Sequence, residues 1–357
     1  MGFRYYFAPL QWGYILVTCF RKVLYFTGLI KRHSFDIPVI CIGNLSVGGT
    51  GKTPHTRYIS RLLMENNHKV AILLRGYKRK SKGFIHCTPE HNVTEIGDEA
   101  YEYIHGLPQN INIFVCEKRK KGIREIQKLF PETSVILMDD GFQHLAVEAG
   151  MNILLTDYLN PFYKDHVLPV GTLREPRNAK KRADLIVVTK TPKVFSPIIA
   201  RDLIEKVKPS ANQSVAFSYL EYGQPVKVYA DSTAADAIPE NLYTVFLIAG
   251  IANPYPLEEY IKRSCVDLYT FRFPDHHQFT VSEIQRITGD FDRHLMKSKV
   301  IFTTEKDVAR LMAPEIKEKL VHLPVFYIPV NIGFHDTKDV NPDKLILDYV
   351  GKNCKNS

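Results

Sequence analysis

A glycine-rich loop constrains the fold of this chain more than any other feature. Residues 46–53 read SVGGTGKT, directly after a compact apolar run at residues 39–42 and before an amphipathic pattern over Lys52–Glu65. Between a strand and a helix, such glycines let successive backbone N–H groups face phosphate oxygens at the helix N-terminus. The sequence therefore predicts a nucleotide-binding α/β lobe of the P-loop type.

The loop also predicts individual roles. Lys52 is expected to reach the β- and γ-phosphates of the nucleotide, and the Thr53 hydroxyl is expected to bind Mg²⁺. Ser46 stands where the commonest form of the motif has glycine, so this is a variant loop with a GGTGKT core. A GGTGKT core between a strand and a helix is so specific a motif that an ordinary glycine turn is a poor explanation for it. The residues predicted to hold the nucleotide are Gly48, Gly49, Thr50, Gly51, Lys52 and Thr53.

Short, fully apolar runs recur along the first part of the chain. They occupy residues 70–74, 113–115, 135–138, 153–155 and 185–188, and they alternate with helix-like patterns. Continuous apolar strands are typical of a parallel sheet that helices cover on both faces. The pattern therefore predicts a doubly wound α/β lobe.

The chain is predicted to divide near residue 220. At 357 residues it is long for a single core, and after residue 220 an alternating, strand-like connector precedes new strand and helix patterns. We predict an aromatic, basic helix at residues 1–35, a P-loop lobe at residues 36–220, and a smaller second α/β lobe at residues 221–357.

Composition narrows the class of partner. The formal charge of +9 favours phosphate groups, nucleic acid or an acidic membrane surface. Nucleic acid is the least favoured, because aromatic residues are not interleaved with the basic runs as a stacking platform requires. The six cysteines are scattered without a CxxC pair, which argues against a zinc site or a disulfide framework and indicates a reducing compartment. The sequence indicates no obligate protein partner.

The first 35 residues suit a membrane surface. They carry five Lys or Arg residues and many aromatic rings, and the first acid is Asp36. The longest apolar stretch, residues 13–20, falls short of the ~20 residues that a spanning helix needs. Aromatic rings favour the headgroup layer and basic residues favour anionic lipid. The sequence predicts peripheral attachment, and the alternative is a helix packed on the protein's own core.

A carboxylate pair, Asp139 and Asp140, ends the apolar run at residues 135–138. Ligands bind at the carboxyl ends of parallel strands, so either carboxylate can hold Mg²⁺ directly or through water. Such a pair alone would suggest a turn, but the glycine-rich loop favours a metal site. Which carboxylate contacts the metal stays open.

Other polar side chains in loops have ordinary structural explanations as well. Asp98 opens a predicted helix, where it can cap the helix or act as general base for an incoming hydroxyl. Gln143 follows the carboxylate pair, where it could position water or metal. Arg174 and Glu175 lie in a loop between prolines whose default interpretation is a solvated turn, and His276 lies in a Pro-Asp-His-His loop.

Basic stretches at residues 75–82, 118–121 and 180–182 are most simply solvated faces. All three lie in the same predicted lobe and carry the same sign of charge. That shared sign suggests a phosphorylated or membrane-bound substrate.

Seven motifs together resemble one family. They are residues 39–54 (VICIGNLSVGGTGKTP), 97–99 (GDE), 139–144 (DDGFQH), 168–176 (LPVGTLREP), 248–254 (IAGIANP), 273–277 (FPDHH) and 304–307 (TEKD). In this order and spacing they resemble the tetraacyldisaccharide 4'-kinases, the lipid A 4'-kinases, over nearly the whole chain.

The resemblance implies a reaction and its site. It implies transfer of the γ-phosphoryl group of ATP, with Mg²⁺, to the 4'-hydroxyl of an acylated glucosamine disaccharide 1-phosphate lipid at the cytoplasmic face of the bacterial inner membrane. Asp98 would be the base, supported by His276 from the second lobe, and Arg119 and Arg174 would stabilise phosphate charge. The metal and phosphate environment would comprise Thr53, Asp139, Asp140, Gln143 and Glu175.

Two other classes remain as alternatives from the residues alone. A nucleotide-dependent switch would be a partition ATPase, which commonly carries a lysine where Val47 stands, or a metallochaperone GTPase, which would show a Cys/His cluster. A soluble small-molecule kinase would use the N-terminal segment as plain core.

Overall fold

The computed structural model describes residues 8–232, 238–239, 241–275, 277–296, 298–337 and 340–354. His276, a predicted site residue, lies outside the described residues, as do residues 1–7 of the predicted N-terminal segment. The chain forms two compact units, which are Met1–Leu220 with Ile332–Ser357, and Glu221–Asn331.

The secondary structure of the described residues alternates as the sequence predicted. The strands are β1 (Val39–Asn44), β2 (Val70–Leu74), β3 (Ile85–Cys87), β4 (Asn112–Val115), β5 (Val135–Asp139), β6 (Met151–Asp157), β7 (Leu185–Thr189), β8 (Ser214–Tyr222), β9 (Val226–Lys227), β10 (Thr244–Ala249), β11 (Asp267–Arg272), β12 (Lys299–Thr304), β13 (Val325–Ile328) and β14 (Val330–Phe334). The helices are α1 (Ala8–Phe26), α2 (Lys52–Glu65), α3 (Val93–Ile96), α4 (Asp98–Gly106), α5 (Arg119–Leu129), α6 (Pro197–Val207), α7 (Tyr255–Ile261), α8 (Val281–Arg293), α9 (Glu305–Leu311), α10 (Pro314–Leu320) and α11 (Pro342–Asn353).

The first unit is built on a nine-stranded sheet in the order β14-β8-β7-β6-β1-β5-β2-β4-β3. The pairs from β8 across to β4 are parallel, and β3 joins antiparallel at the edge. From β1 the chain continues to β2, which lies on one side of β1 in the sheet. From β5 it continues to β6, which lies on the other side of β1. The carboxyl ends of β1 and β5 therefore flank a topological switch point, where open α/β sheets bind ligands.

Apolar side chains cover both faces of this sheet, which confirms the predicted α/β fold class. In β1, Val39 and Cys41 point to one core, and Ile40 and Ile42 point to the other, because successive strand side chains alternate between faces. Helix α5 packs on the first face, and α2, α4 and α11 pack on the second.

The second unit is a smaller α/β layer around a five-stranded sheet in the order β11-β10-β12-β13-β9. The pairs among β10, β11, β12 and β13 are parallel, and β9 is antiparallel. Its two apolar clusters lie on opposite faces of β10, where Phe246 and Ile248 join one and Val245 and Leu247 join the other. The predicted strand-like connector appears as the two-residue strand β9.

The C-terminal boundary differs from the expected one. The sequence placed residues 221–357 in one lobe, whereas Ile332–Ser357 belongs to the first unit. Ile346 and Val350 of α11, four residues apart on one helical face, are fully buried in the core beneath α2. Local sequence patterns could not predict that the chain returns to the first unit. The return depends on packing of α11 in one apolar core with α2, which is distant in the sequence.

Helix α1 has two distinct faces. Tyr14 and Ile15 pack against the sheet core, while Trp12, Leu16 and Phe20 are 65–68% exposed. Spacing of four residues places these exposed side chains on one side of the helix. None of the helices in the described residues is both long and apolar enough to cross a bilayer.

Candidate active site

The glycine-rich loop joins β1 to α2 as the sequence predicted. Gly48 and Gly51 have φ values of 123° and 89°, a backbone region that favours glycine. Gly51 is the N-cap residue of α2, and Lys52 is its first helical residue. From Asn44, at the end of β1, the side-chain amide donates to Thr50 Oγ1 at 2.8 Å, which fixes the loop to the strand.

Neighbouring strand ends brace the same loop. Thr189, the last residue of β7, donates from its hydroxyl to Thr50 O at 2.9 Å. Lys190 Nζ donates to Gly49 O and pairs with Asp157 at 2.8 Å. Lys190 therefore adds a positive charge at the rim of the loop, where nucleotide phosphates are expected.

His55 ties the start of α2 to β8. Its Nδ1 lies 2.7 Å from Gly51 O, and its Nε2 lies 2.8 Å from Ser218 Oγ. Burial lowers the pKa of His55 to about 4, so the ring is neutral at pH 7. A neutral imidazole donates from Nδ1 to the carbonyl and accepts at Nε2 from the hydroxyl.

Lys52, Asp140 and Arg174 form the charged centre of the site. Lys52 Nζ lies 3.6 Å from Asp140 Oδ1, and Arg174 Nη1 donates to both Asp140 oxygens at 3.1 Å. Burial alone would raise the pKa of Asp140, but Lys52 and Arg174 outweigh it and lower that pKa. The carboxylate is therefore ionised and flanked by two cations.

The loop that carries Arg174 is packed on the glycine-rich loop rather than solvated. Arg174 N donates to Leu45 O at 2.7 Å, and Val47 N donates to Thr172 O at 2.8 Å. These backbone bonds hold the guanidinium beside the strand ends. The solvated-turn interpretation of this loop is therefore wrong.

Asp139 occupies a different environment from Asp140. It is 2% exposed, accepts from Tyr103 Oη at 2.8 Å, and accepts from the Asp140 N–H at 2.9 Å. Burial raises its pKa, although Lys52 opposes the shift. Asp139 therefore lies beneath the site with its oxygens engaged by protein donors, whereas Asp140 is the more accessible carboxylate.

Glu99 is a third carboxylate near this pair. Burial, followed by the charges of Asp139 and Asp140, raises its pKa to about 7. The hydrogen bond from Tyr103 to Asp139 places α4 beside the end of β5. Glu99 had no separate predicted role, although the GDE motif contains it.

Asp98 is the first residue of the same helix and is partly buried. The N-cap position belongs to Gly97, so Asp98 lies one residue inside the position that the capping alternative gave it. The base role stays a prediction.

Arg119 lies below the site instead of facing it. Its guanidinium is buried and donates to Cys116 O and Asp139 O, each at 3.0 Å. Burial lowers the pKa of Arg119 to about 10, so it remains charged. The resemblance implied that Arg119 stabilises phosphate charge. The observed bonds attach its guanidinium to the end of β5, and the phosphate role stays a prediction.

Gln143 bridges two parts of the site. Its Nε2 donates to Asn44 O at 2.8 Å, and its Oε1 lies 3.5 Å from Arg174 Nη1. The amide therefore joins the end of β1 to the Arg174 loop. A water- or metal-positioning role remains a prediction.

Glu175 is engaged by two cations. It is fully buried, pairs with both terminal nitrogens of Arg182 at 2.9 and 3.0 Å, and contacts Lys22 Nζ at 2.7 Å. Burial alone would raise the pKa of Glu175, but the hydrogen bonds and charges of Arg182 and Lys22 have the larger effect and lower it. Its contacts are those of a clamp that fastens α1 to the rest of the first unit.

Replacement of Glu175 tests the clamp against the metal role that the resemblance implied. Glu175→Gln is expected to destabilise the protein by about 2–4 kcal/mol, because it leaves Arg182 and Lys22 without their counter-charge. Thermal unfolding without nucleotide or Mg²⁺ measures this loss, with the exposed Glu318→Gln as control. Unchanged stability together with weakened Mg²⁺ dependence of turnover would instead favour a metal ligand.

The site chemistry fits a nucleotide-bound Mg²⁺ ion. In the described residues, no three His, Cys, Asp or Glu side chains converge as a self-contained metal cage. Mg²⁺ in phosphoryl-transfer sites typically takes one or two protein carboxylates, with phosphates and water as the other ligands. Asp139, Asp140 and the Thr53 hydroxyl supply that type of donor. Burial raises the pKa of Glu99, the charges of Asp139 and Asp140 raise it further, and this cluster of carboxylates favours a nearby cation.

Besides Glu99, the sequence predictions missed Lys190 and Tyr103 as contributors to the site. Lys190 directly follows the apolar run of β7, so the rule that placed the carboxylates after β5 could have found it. Tyr103 lies one helical turn after Glu99, but its bond to Asp139 depends on a tertiary contact that spacing alone does not reveal.

Comparison with known proteins supports one family throughout the chain. The family model of tetraacyldisaccharide-1-P 4'-kinase, LpxK, matches residues 3–347. A tetraacyldisaccharide 4'-kinase of Bacteroides thetaiotaomicron is 39% identical over 98% of this chain and 94% of its own length. The Flavobacterium johnsoniae protein of the same name is 38% identical over 96% of each chain.

A solved structure agrees with the sequence relatives. The crystal structure of LpxK from Aquifex aeolicus in complex with ATP superposes with a TM-score of 0.72 at 25% identity, covering 99% of both chains. Motif order, relatives and fold thus agree from end to end, and the chain belongs to the tetraacyldisaccharide 4'-kinase family.

Proposed function

We propose that this chain transfers the γ-phosphoryl group of ATP to the 4'-hydroxyl of a tetraacyldisaccharide 1-phosphate, a step of lipid A biosynthesis. The observation that carries this proposal is the charged centre, in which Lys52 lies 3.6 Å from Asp140 and Arg174 bonds the same carboxylate. Phosphoryl transfer needs mainly positioning and neutralisation of charge, and these groups supply both.

Residues of the glycine-rich loop bind the nucleotide in this proposal. Backbone N–H groups from Gly48 to Lys52 face the phosphates at the start of α2, and the Lys52 ammonium neutralises the transferred group. Lys190 and Arg174 add positive charge at the rim. Thr53, Asp139 and Asp140 would hold Mg²⁺, which would neutralise phosphate charge.

The proton of the substrate leaves through Asp98. The 4'-hydroxyl oxygen forms a bond to the γ-phosphorus, the bond to the β–γ bridging oxygen breaks, and ADP leaves. The Asp98 carboxylate accepts the hydroxyl proton. His276 keeps the supporting role that the resemblance implies.

A direct assay tests the function. The purified chain is incubated with ATP labelled at the γ-phosphate, Mg²⁺ and detergent-dispersed tetraacyldisaccharide 1-phosphate. Label in the lipid, at the 4'-position, is the expected product. Label released only as inorganic phosphate, at a rate independent of lipid, would instead support the nucleotide-switch alternative, which the family assignment does not favour.

We also propose that the protein attaches peripherally to the anionic cytoplasmic face of the inner membrane. The exposed face of α1 carries Trp12, Leu16 and Phe20, and the inner face is fastened by Lys22 to Glu175. The two alternatives for the N-terminal segment are thus compatible, because one face packs on the core while the other can enter the headgroup layer.

Polar replacement of this face is expected to weaken membrane binding. Leu16→Asn with Phe20→Asn should lower the vesicle partition coefficient at least about tenfold, since each large apolar side chain contributes about 1.5–3 kcal/mol on burial. Flotation with phosphatidylglycerol-containing vesicles measures the change. The matched control is Val194→Asn with Ile198→Asn, two side chains that are 92% and 80% exposed. Equal flotation of both double variants would refute this role of α1.

A further inference from the structure

Three motifs of the second unit take no part in the proposed transfer chemistry apart from His276. They are IAGIANP (residues 248–254), FPDHH (residues 273–277) and TEKD (residues 304–307). Each motif spans or directly follows the carboxyl end of a parallel strand, β10, β11 or β12. From β10 the chain continues to β11 on one side, and from β12 it continues to β13 on the other. The three motifs therefore meet at the topological switch point of the second sheet.

A buried ion pair lies at this edge of the sheet. Asp307 and Arg310 are three residues apart in α9, their side chains are 0% and 2% exposed, and Asp307 Oδ1 lies 2.6 Å from Arg310 Nη1. The other carboxylate oxygen, Oδ2, accepts from the Thr304 hydroxyl at 2.6 Å and from Gly250 N at 2.9 Å. Because both oxygens are engaged by fixed donors, the Asp307 side chain has little freedom to move.

The bond from Gly250 holds the loop after β10 against this pair. A Cβ atom on Gly250 would lie 2.8 Å from Asp307 Oδ1 and 3.5 Å from Phe279 Cζ, so the position needs the close approach that glycine allows. Ala249, the preceding residue, accepts from Phe273 N at 2.8 Å. The loop after β10 therefore joins the ion pair to the first residue of the FPDHH motif.

The FPDHH loop is anchored on both sides of His276, which itself lies outside the described residues. On one side, Asp275 Oδ1 lies 2.7 Å from Lys306 Nζ in the first turn of α9. On the other side, the His277 ring stacks on the Phe273 ring, with centroids 4.8 Å apart. The sequence neighbours of His276 are thus fastened to α9 and to the first residue of their own motif.

We propose that Asp307 is a positioning residue for phosphoryl transfer, which fixes the loop after β10 and, through that loop, the FPDHH segment that carries His276. The inference rests on the proposed function, in which His276 supports the base. Asp307 is fully buried, so it acts through the loops and touches neither nucleotide nor lipid. Rigid support of this kind matters, because a displacement of about 1 Å in a catalytic site can cost up to 10²-fold in rate.

Gly250→Ala is the direct test, because it keeps both buried charges and pushes the loop away from Asp307. Single-turnover transfer from ATP to the lipid is expected to slow about 10–10²-fold. The KM for ATP should change little, since the glycine-rich loop lies in the first unit. Gly289→Ala is the matched control, because a Cβ atom at that position of α8 meets nothing within 4 Å. A rate equal to that of the control would refute the proposal.

A double variant separates positioning from a general loss of stability. His276→Ala is combined with Gly250→Ala, and the rates of both single variants and the double variant are compared. Positioning predicts that Gly250→Ala costs little once the imidazole is absent, because residues that act as one unit are non-additive. Losses that multiply would overturn the inference, and so would a His276→Ala protein that keeps the full rate.

Removal of the ion pair tests the carboxylate without relying on catalysis. Asp307→Ala is combined with Arg310→Met, because a buried arginine without its counter-charge would destabilise the unit. Backbone hydrogen exchange is expected to become faster at residues 250–254 and 273–279 and to stay unchanged in the rest of the second unit. Unchanged exchange in these two segments, or faster exchange throughout the unit, would show that Asp307 does not specifically fix the loops.

Failure of the proposed function is distinguishable from failure of this inference. If the intact protein transfers no phosphoryl group to the lipid, the function is wrong, and local hydrogen exchange still decides whether Asp307 fixes the two loops. If the intact protein transfers the group but the ion-pair variant shows unchanged exchange in both loops, the positioning role alone is refuted.

Discussion

Lys52→Ala is expected to fold normally and to lose turnover by roughly 10²–10³-fold at saturating ATP. Lys52 begins α2 beyond Gly51, and its ammonium lies 3.6 Å from Asp140 Oδ1. Removing the ammonium takes away a positive charge at the transferred phosphoryl group, where negative charge must be stabilised in the transition state. The loss should therefore appear in kcat and not only in ATP affinity.

Stability is expected to change little in this variant. Asp140 keeps both of its bonds from Arg174, so its carboxylate is not left unpaired. Lys128→Ala, at an exposed position of α5, controls for the loss of one positive charge. A folded Lys52→Ala protein with near-normal turnover at saturating ATP would show that the loop does not serve phosphoryl transfer.

Local sequence predicted the nucleotide lobe well. The glycine spacing and the apolar run before it required a turn between a strand and a helix, and α2 begins and ends at the predicted residues. Asp140 was placed correctly because a strand ends just before it, and parallel strands bring their carboxyl ends to one edge. These inferences needed no knowledge of distant partners.

Roles that depend on tertiary partners could not be predicted from spacing. Glu175 was assigned to the metal environment, but its counter-charges come from Arg182 in the same region and from Lys22, far away in α1. Arg119 was predicted to stabilise phosphate charge, and its guanidinium donates to Asp139 O at the end of β5; the phosphate role stays a prediction.

Asp98→Asn is expected to slow the chemical step by roughly 10²–10⁴-fold, the range for loss of a general base, while ATP binding persists. Asparagine has nearly the same shape but cannot accept the hydroxyl proton. Single-turnover rates with saturating lipid measure the step, and melting temperatures check folding. Glu315→Gln is the control, because it makes the same acid-to-amide change in the first turn of the short helix α10.

Glu99 is the rival base, since it lies next to Asp98 and its raised pKa of about 7 suits proton transfer at neutral pH. Its environment argues for a different role. Burial and the neighbouring charges of Asp139 and Asp140 disfavour its ionised form, which a cation held by that pair would relieve. Glu99→Gln should therefore shift the Mg²⁺ concentration for half-maximal rate, whereas Asp98→Asn should lower the rate at every Mg²⁺ concentration. The opposite pattern, with an unchanged rate in Asp98→Asn and a Mg²⁺-independent loss in Glu99→Gln, would transfer the base role to Glu99.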